Sequence, residues 1–109
     1  MRILKFIIEG RSIKPDPTCD FSNLIPGTEN LIQAQFSFSK EWNNCVKVAA
    51  FYSMLGAEYR PQSIGPNNIC RIPIEATKRQ RFRMQVYGRG IQGKIITNKI
   101  TIEQNGGSE

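Results

Sequence analysis

The stretch from Ala76 to Ile102 carries Lys78, Arg79, Arg81, Arg83, Arg89, Lys94 and Lys99 and no acidic residue. The whole chain holds 15 Lys+Arg against 9 Asp+Glu, so its formal net charge of +6 arises in this stretch. The chemistry open to such a run is electrostatic: it can hold phosphates or dock onto an acidic protein surface. Arg81 and Arg83 fall on the polar side of an alternating run, with Gln85 and Tyr87 next on that side. Arginines interleaved with an aromatic ring on a sheet face suit single-stranded nucleic acid, by phosphate neutralisation and base stacking. The candidate contacts are therefore Lys78, Arg79, Arg81, Arg83, Tyr87, Arg89 and Lys94. A single tyrosine among them favours a protein partner, or a plainly solvated strand face, over nucleic acid.

Catalytic chemistry has little to build on. The chain has no histidine, so the usual general base of a nucleophilic triad is missing. Asp16 and Asp20 flank Cys19 in a Pro-rich segment and Glu41 adjoins Trp42, but none has an identifiable partner carboxylate. Gly88, Gly90 and Gly93 match G-x-G-x-x-G, yet a β-branched run, Lys94-Ile-Ile-Thr, follows where a dinucleotide site needs a helix. These glycines read as a hairpin. Cys19, Cys45 and Cys70 are odd in number and widely spaced, which argues against a disulfide framework or a zinc site. Cys45 and Cys70 read as small buried hydrophobes in strands. No enzyme activity, metal or cofactor is expected.

The elements that must position the basic residues are strands. At 109 residues the chain suits one domain with a modest core, here residues 1–104, followed by a tail of linker composition, 105–109. Ile3–Glu9 alternates, with Leu4, Phe6 and Ile8 on one side. Residues 11–30 lose the pattern among prolines and form a loop or arm, in which Leu24-Ile25 is a candidate short strand. Leu31–Ser53 begins with Ile32, Ala34, Phe36 and Phe38 facing a dry side, turns at Trp42, and continues as an apolar strand covered on both sides. Trp42 reads as a buried corner plug. Glu58–Ile64 suits an edge strand because of Pro61. Cys70, Ile72 and Ile74 point inward before one helical turn at Pro73–Gln80. Arg81–Gly88 alternates with Phe82, Met84 and Val86 inward, 88–93 loops back, and Ile96, Ile100 and Ile102 face the core around an irregularity at Asn98. The expected core is Phe36, Phe38, Trp42, Val48, Phe51, Ile72, Phe82 and Val86. Roughly six to eight short strands with regular turn signals predict an all-β, antiparallel, Ig-like β-sandwich, with a small β-barrel as the alternative. No apolar run approaches the roughly 18–20 residues of a membrane helix, and Met1–Glu9 lacks the features of a signal peptide. Use without secretion is expected.

Several of these segments together resemble a family. Phe36-Ser-Phe-Ser-Lys-Glu-Trp42, Lys47-Val-Ala-Ala-Phe51, Cys70-Arg-Ile-Pro-Ile-Glu75, Phe82–Gly88 and Ile96-Thr-Asn98 are similar to small β-sandwich domains of tailed-bacteriophage virion proteins. Such domains occur in baseplate, tail-fibre and head-fibre or decoration proteins, and the likeness spans Phe6 to Gln104. The resemblance implies a non-enzymatic structural module made in the bacterial host cytoplasm and resident in the virion. It further implies multiple copies or a homo-oligomer, with capsid, tail or fibre subunits as partners and no membrane contact. Members of this kind often continue into a fibre region, whereas this chain stops at Glu109, which points to a decoration, adaptor or fibre-base protein. A small basic barrel that binds single-stranded nucleic acid is the alternative.

Overall fold

The computed structural model describes residues 2–21 and 32–104. The expected strand at Leu24-Ile25 and the tail at 105–109 lie outside them.

The alternating residues of β1 (Arg2–Glu9) bury Leu4, Phe6 and Ile8 and expose Ile3, Lys5 and Glu9. Gly10, at φ +56°, turns the chain straight back into β2 (Ser12–Pro15), so ordered pairing continues into the Pro-rich segment that reads as irregular in sequence. Ile13 pairs with Ile8 and is buried, while Asp16 and Pro17 end the strand. β3 (Ile32–Phe38) lies parallel to β1 on its other side, matching Leu4 with Ala34 and Phe6 with Phe36. The sandwich is thus not wholly antiparallel. β6 (Ile69–Arg71) completes a four-stranded sheet in the order β2-β1-β3-β6.

The chain crosses to the second sheet through a single 3-10 turn, Lys40–Trp42. Trp42 is fully buried there, its Nε1–H donating to the Gly10 carbonyl at 2.8 Å and its ring centred 5.3 Å from that of Phe38. Gly88 lies against the indole: a Cβ added at that position would stand 2.7 Å from the ring. The corner is closed by one large side chain, one backbone acceptor and one missing Cβ.

β4 (Val46–Tyr52) follows, flanked by the two-residue edge strand β5 (Gln62–Ser63) and by the ten-residue β7 (Arg81–Gly90). The far edge of β7 is shared by β8 (Gly93–Ile96) and β9 (Ile100–Glu103). Between them Thr97 is buried; its hydroxyl accepts the Val86 N–H at 3.0 Å and its own N–H reaches the Val86 carbonyl at 3.0 Å. Asn98 then leaves the sheet and binds the other layer. Its Oδ1 accepts from Ile13 N–H and its N–H donates to the Arg11 carbonyl. The irregularity expected at Asn98 is a fastening between β2 and the second sheet.

The described strands form two facing sheets, not a closed barrel. Their inner faces share one core that includes Leu4, Phe6, Phe36 and Ile72 from one layer and Phe51, Phe82, Met84 and Val86 from the other. Five placements differ from the sequence reading. Val48 lies outside this core on the opposite side of β4, because Ala49 and Phe51 take the inward positions. Phe38 is half-buried at the core's margin. Ile74 is exposed, since the helix α1 (Ile74–Thr77) begins there and buries Ala76 and Thr77 instead. Ile95, not Ile96, packs toward the core: β7 reaches Gly90 and the hairpin turn is only Ile91-Gln92, which fixes the register. Cys45 lies half-buried in the turn before β4, and only Cys70 of the strand-assigned cysteines is buried. There burial alone pushes its thiol up to about 12.

Candidate protein-docking face

β4 and β7 run antiparallel, and their outward side chains line up in rows with those of β8 and β9. The row nearest the β7–β8 hairpin is Val46, Arg89 and Lys94; the next is Val48, Tyr87 and Ile96. Ala50 and Gln85 form the third, Tyr52, Arg83 and Thr101 the fourth, and Arg81 and Glu103 the last. On this face Ala50 and Tyr52 are buried, with Glu58 bridged to Tyr52, whereas Val46, Arg89 and Lys94 are exposed. Arg81, Arg83, Arg89 and Lys94 thus join a banded surface: cationic at one end, apolar and aromatic beyond it, and ion-paired at the other.

Its centre is a fixed polar knot. The Tyr52 and Tyr87 hydroxyls are 2.6 Å apart, and each lies 3.2 Å from Gln85 Oε1. Gln85 Nε2 donates to the Thr97 carbonyl at 2.7 Å, which locks the amide orientation through the break between β8 and β9. Burial, and then the hydrogen bond to Tyr87, drives the Tyr52 hydroxyl well above its ordinary range. Lys99 Nζ sits 4.4 Å over the Tyr52 ring and Lys94 Nζ 5.5 Å over the Tyr87 ring. Each contact contributes about 0.5–1 kcal/mol at an exposed site and keeps the ring face under a cation. Arg81 Nε meets Glu103 Oε1 at 3.3 Å, so the positive charge at that end is offset.

The structure gathers Arg81, Arg83, Tyr87, Arg89 and Lys94 onto this face. Lys78 and Arg79 are elsewhere: they follow α1 at its C-terminal end, exposed. Tyr52, Val46 and Val48 are members that the sequence reading missed. β4 is apolar on both sides, so it reads as a doubly covered strand, and its outward set is recognised only when paired with the Arg-rich side of β7. The phase was available: Ala49 and Phe51 point in, so Val46, Val48, Ala50 and Tyr52 must point out.

An apolar groove of about 620 Å³ follows β4 on this side. Val46, Val48, Ala50, Pro61 and Tyr87 line it, with Arg89 and Lys94 at one rim and Glu58 at another. The carboxylates weighed as catalytic candidates have local duties. Thr18 donates its backbone N–H (2.9 Å) and hydroxyl (2.7 Å) to Asp16 Oδ1, and these bonds hold the Asp16 carboxyl below its ordinary range. Glu41 is lowered by its own backbone N–H and by the Ser39 hydroxyl. Cys19 Sγ accepts the Lys5 N–H at 3.4 Å. Among the described residues no cluster of Cys, Asp and Glu is arranged to hold a metal ion, and no helix is long and apolar enough to cross a membrane. Gly88, Gly90 and Gly93 belong to the paired arms of a hairpin, and a strand, β8, follows the turn where a dinucleotide site needs a helix. Set against known proteins, the chain matches no family model, and no curated protein matches it.

Proposed function

We propose that this chain is a non-enzymatic structural module of a tailed-bacteriophage virion, a decoration, adaptor or fibre-base protein that assembles through protein–protein contacts. One observation carries the docking part of this reading. The outer face of the five-stranded sheet combines an apolar groove with uncovered cations, as surfaces meant for a partner do. The virion part rests on the resemblance of the Trp42 corner, the Ile72-Pro73-Ile74-Glu75 turn and the late hairpin to phage sandwich domains. The partners are then capsid, tail or fibre subunits, met in many copies per particle. Quantitative mass spectrometry of purified particles tests it. The protein is expected at a stoichiometry comparable to that of other structural subunits. Its absence from particles, together with a monomeric state in solution, overturns the reading.

A second reading, a single-stranded nucleic-acid binder, gains from the pairing of Tyr52 with Tyr87 on the basic face. It loses because Tyr52 is only 7% exposed and both rings already lie under lysines. Binding of a labelled oligothymidylate that weakens steeply with salt supports it, and no binding at low salt removes it.

A further inference from the structure

We infer that the groove along β4 receives an extended acidic segment of a partner protein, with carboxylates over Arg89 and Lys94 and apolar side chains over Val46 and Val48. This rests on the reading of that face as a protein-docking surface and names the chemistry of what docks there. Three observations carry it.

The first is a mismatch in charge. Arg89 and Lys94 are direct cross-strand partners on the same face, and both are exposed. Like charges placed opposite one another on a sheet destabilise it. The third member of that row is Val46, so the register supplies no carboxylate between them. At the far end of the same face, Arg81 does have its Glu103. The fold neutralises one end and leaves the other to an anion from outside.

The second is the floor. Val46 is 74% exposed and Val48 half-buried, on a strand whose opposite side is packed. Alternate residues of a strand repeat at roughly 7 Å. A second extended chain laid along β4 repeats its own side chains at that spacing, so acidic and apolar side chains two residues apart meet successive rows. Glu58 at the other rim repels a carboxylate there and so fixes which end of the groove takes the acid.

The third is a contrast with nucleic acid. A base needs a free ring face, and Lys94 and Lys99 occupy those of Tyr87 and Tyr52. An aliphatic side chain needs only the apolar groove wall, which Val46, Val48, Ala50 and Pro61 supply.

The test uses the purified full chain as bait for a library of short random peptides, followed by anisotropy with a labelled copy of the most enriched sequence. Enrichment of Asp and Glu alternating with Val, Ile or Leu is expected. Lys94→Glu and Arg89→Glu should each weaken the peptide about tenfold or more, a loss of about 1.4 kcal/mol. Val48→Asp should do the same, and Gln35→Glu on the other sheet should change nothing. Thermal melts confirm that each variant is folded, and the exposed position of Lys94 keeps that variant informative if Val48→Asp is not. Enrichment without acidic residues, or undiminished binding by Lys94→Glu, overturns the inference. Displacement of the peptide by oligothymidylate at equal concentration overturns it in favour of nucleic acid. The outcome is independent of particle composition: peptide binding with no protein in particles removes the virion assignment and leaves the groove's chemistry standing.

Discussion

The two sheets turn very different faces outward. On the four-stranded sheet, β1 and β3 expose Lys5, Glu9, Gln33, Gln35 and Ser37, with Ile3 and Ile7 scattered among them. Lys14 and Arg71 stand at its flanks. Lys5 lies beside Gln35 in the parallel register, and small or amide side chains separate the charges. The five-stranded sheet instead places Val46, Val48, Ala50, Tyr52, Tyr87 and Ile96 outward and rings them with Arg83, Arg89, Lys94 and Lys99. Both faces cover the same core from opposite sides, so packing demands cannot explain the difference. An uncovered strand face needs only to be wettable. The first face meets that requirement and no more. The second departs from it in two ways at once, with Val46 and Val48 apolar where water is the neighbour and with like charges across a strand pair.

The comparison can be calibrated, sharpened or broken by substitution. The interior shared by both sheets should show the largest effect. Trp42→Ala removes the corner plug and the hydrogen bond to Gly10, and should cost about 3–5 kcal/mol in urea unfolding. Gly88→Val should approach it by forcing the indole away. Neither result separates the faces; both set the scale.

Alkaline unfolding comes next, and it weighs a core group against a face group. The Cys70 thiol has an ordinary value of 9.0, raised to about 12 by burial. A raised folded-state value means that the unfolded chain loses its proton first, so stability is complete below 9.0 and declines as pH climbs toward 12. The loss should reach about 1.4 kcal/mol one unit above the unfolded value. Tyr52 on the outer face shifts in the same direction from 10.0. Denaturant titrations across this range should show Cys70→Ala flattening the early decline and Tyr52→Phe the later one.

The smallest effect is the most specific to the outer face. Arg89→Glu converts the like-charged pair with Lys94 into an opposite one, leaves the Lys94–Tyr87 contact in place, and should raise stability by about 0.2–1 kcal/mol while weakening the peptide. Gln35→Glu, on the other face beside Lys5, should shift stability by less than about 0.5 kcal/mol. A residue that is better for binding and worse for folding marks a working surface. If Arg89→Glu were destabilising, the charge mismatch would lose its meaning.

The two-layer β architecture was legible in the sequence because hydrophobic alternation at Leu4–Ile8, Ile32–Phe36 and Phe82–Val86 is a local signal. The Trp42 corner was legible for a related reason: it interrupts two runs that must both enter the core. Long-range register was not. Nothing near Ser12–Pro15 announces that it pairs with β1, and the parallel match of β1 with β3 is set across the intervening residues. The proposed docking face was half legible. The cations on β7 stood out by composition, but Val48 and Tyr52 hid in an apolar run whose two sides differ only once β7 is laid beside it. Lys78 and Arg79 belonged to the same charge run and left it, because α1 turns the chain before the strand begins.

Assembly decides whether the outer face of the five-stranded sheet docks, as proposed, while that of the four-stranded sheet does not. Particles would be formed with a Val48→Asp/Lys94→Glu chain or with a Gln33→Glu/Gln35→Glu chain, and the amount retained after purification measured by mass spectrometry against wild type. Loss of the first and wild-type retention of the second are expected. Retention of the first, or equal loss of both, would contradict it.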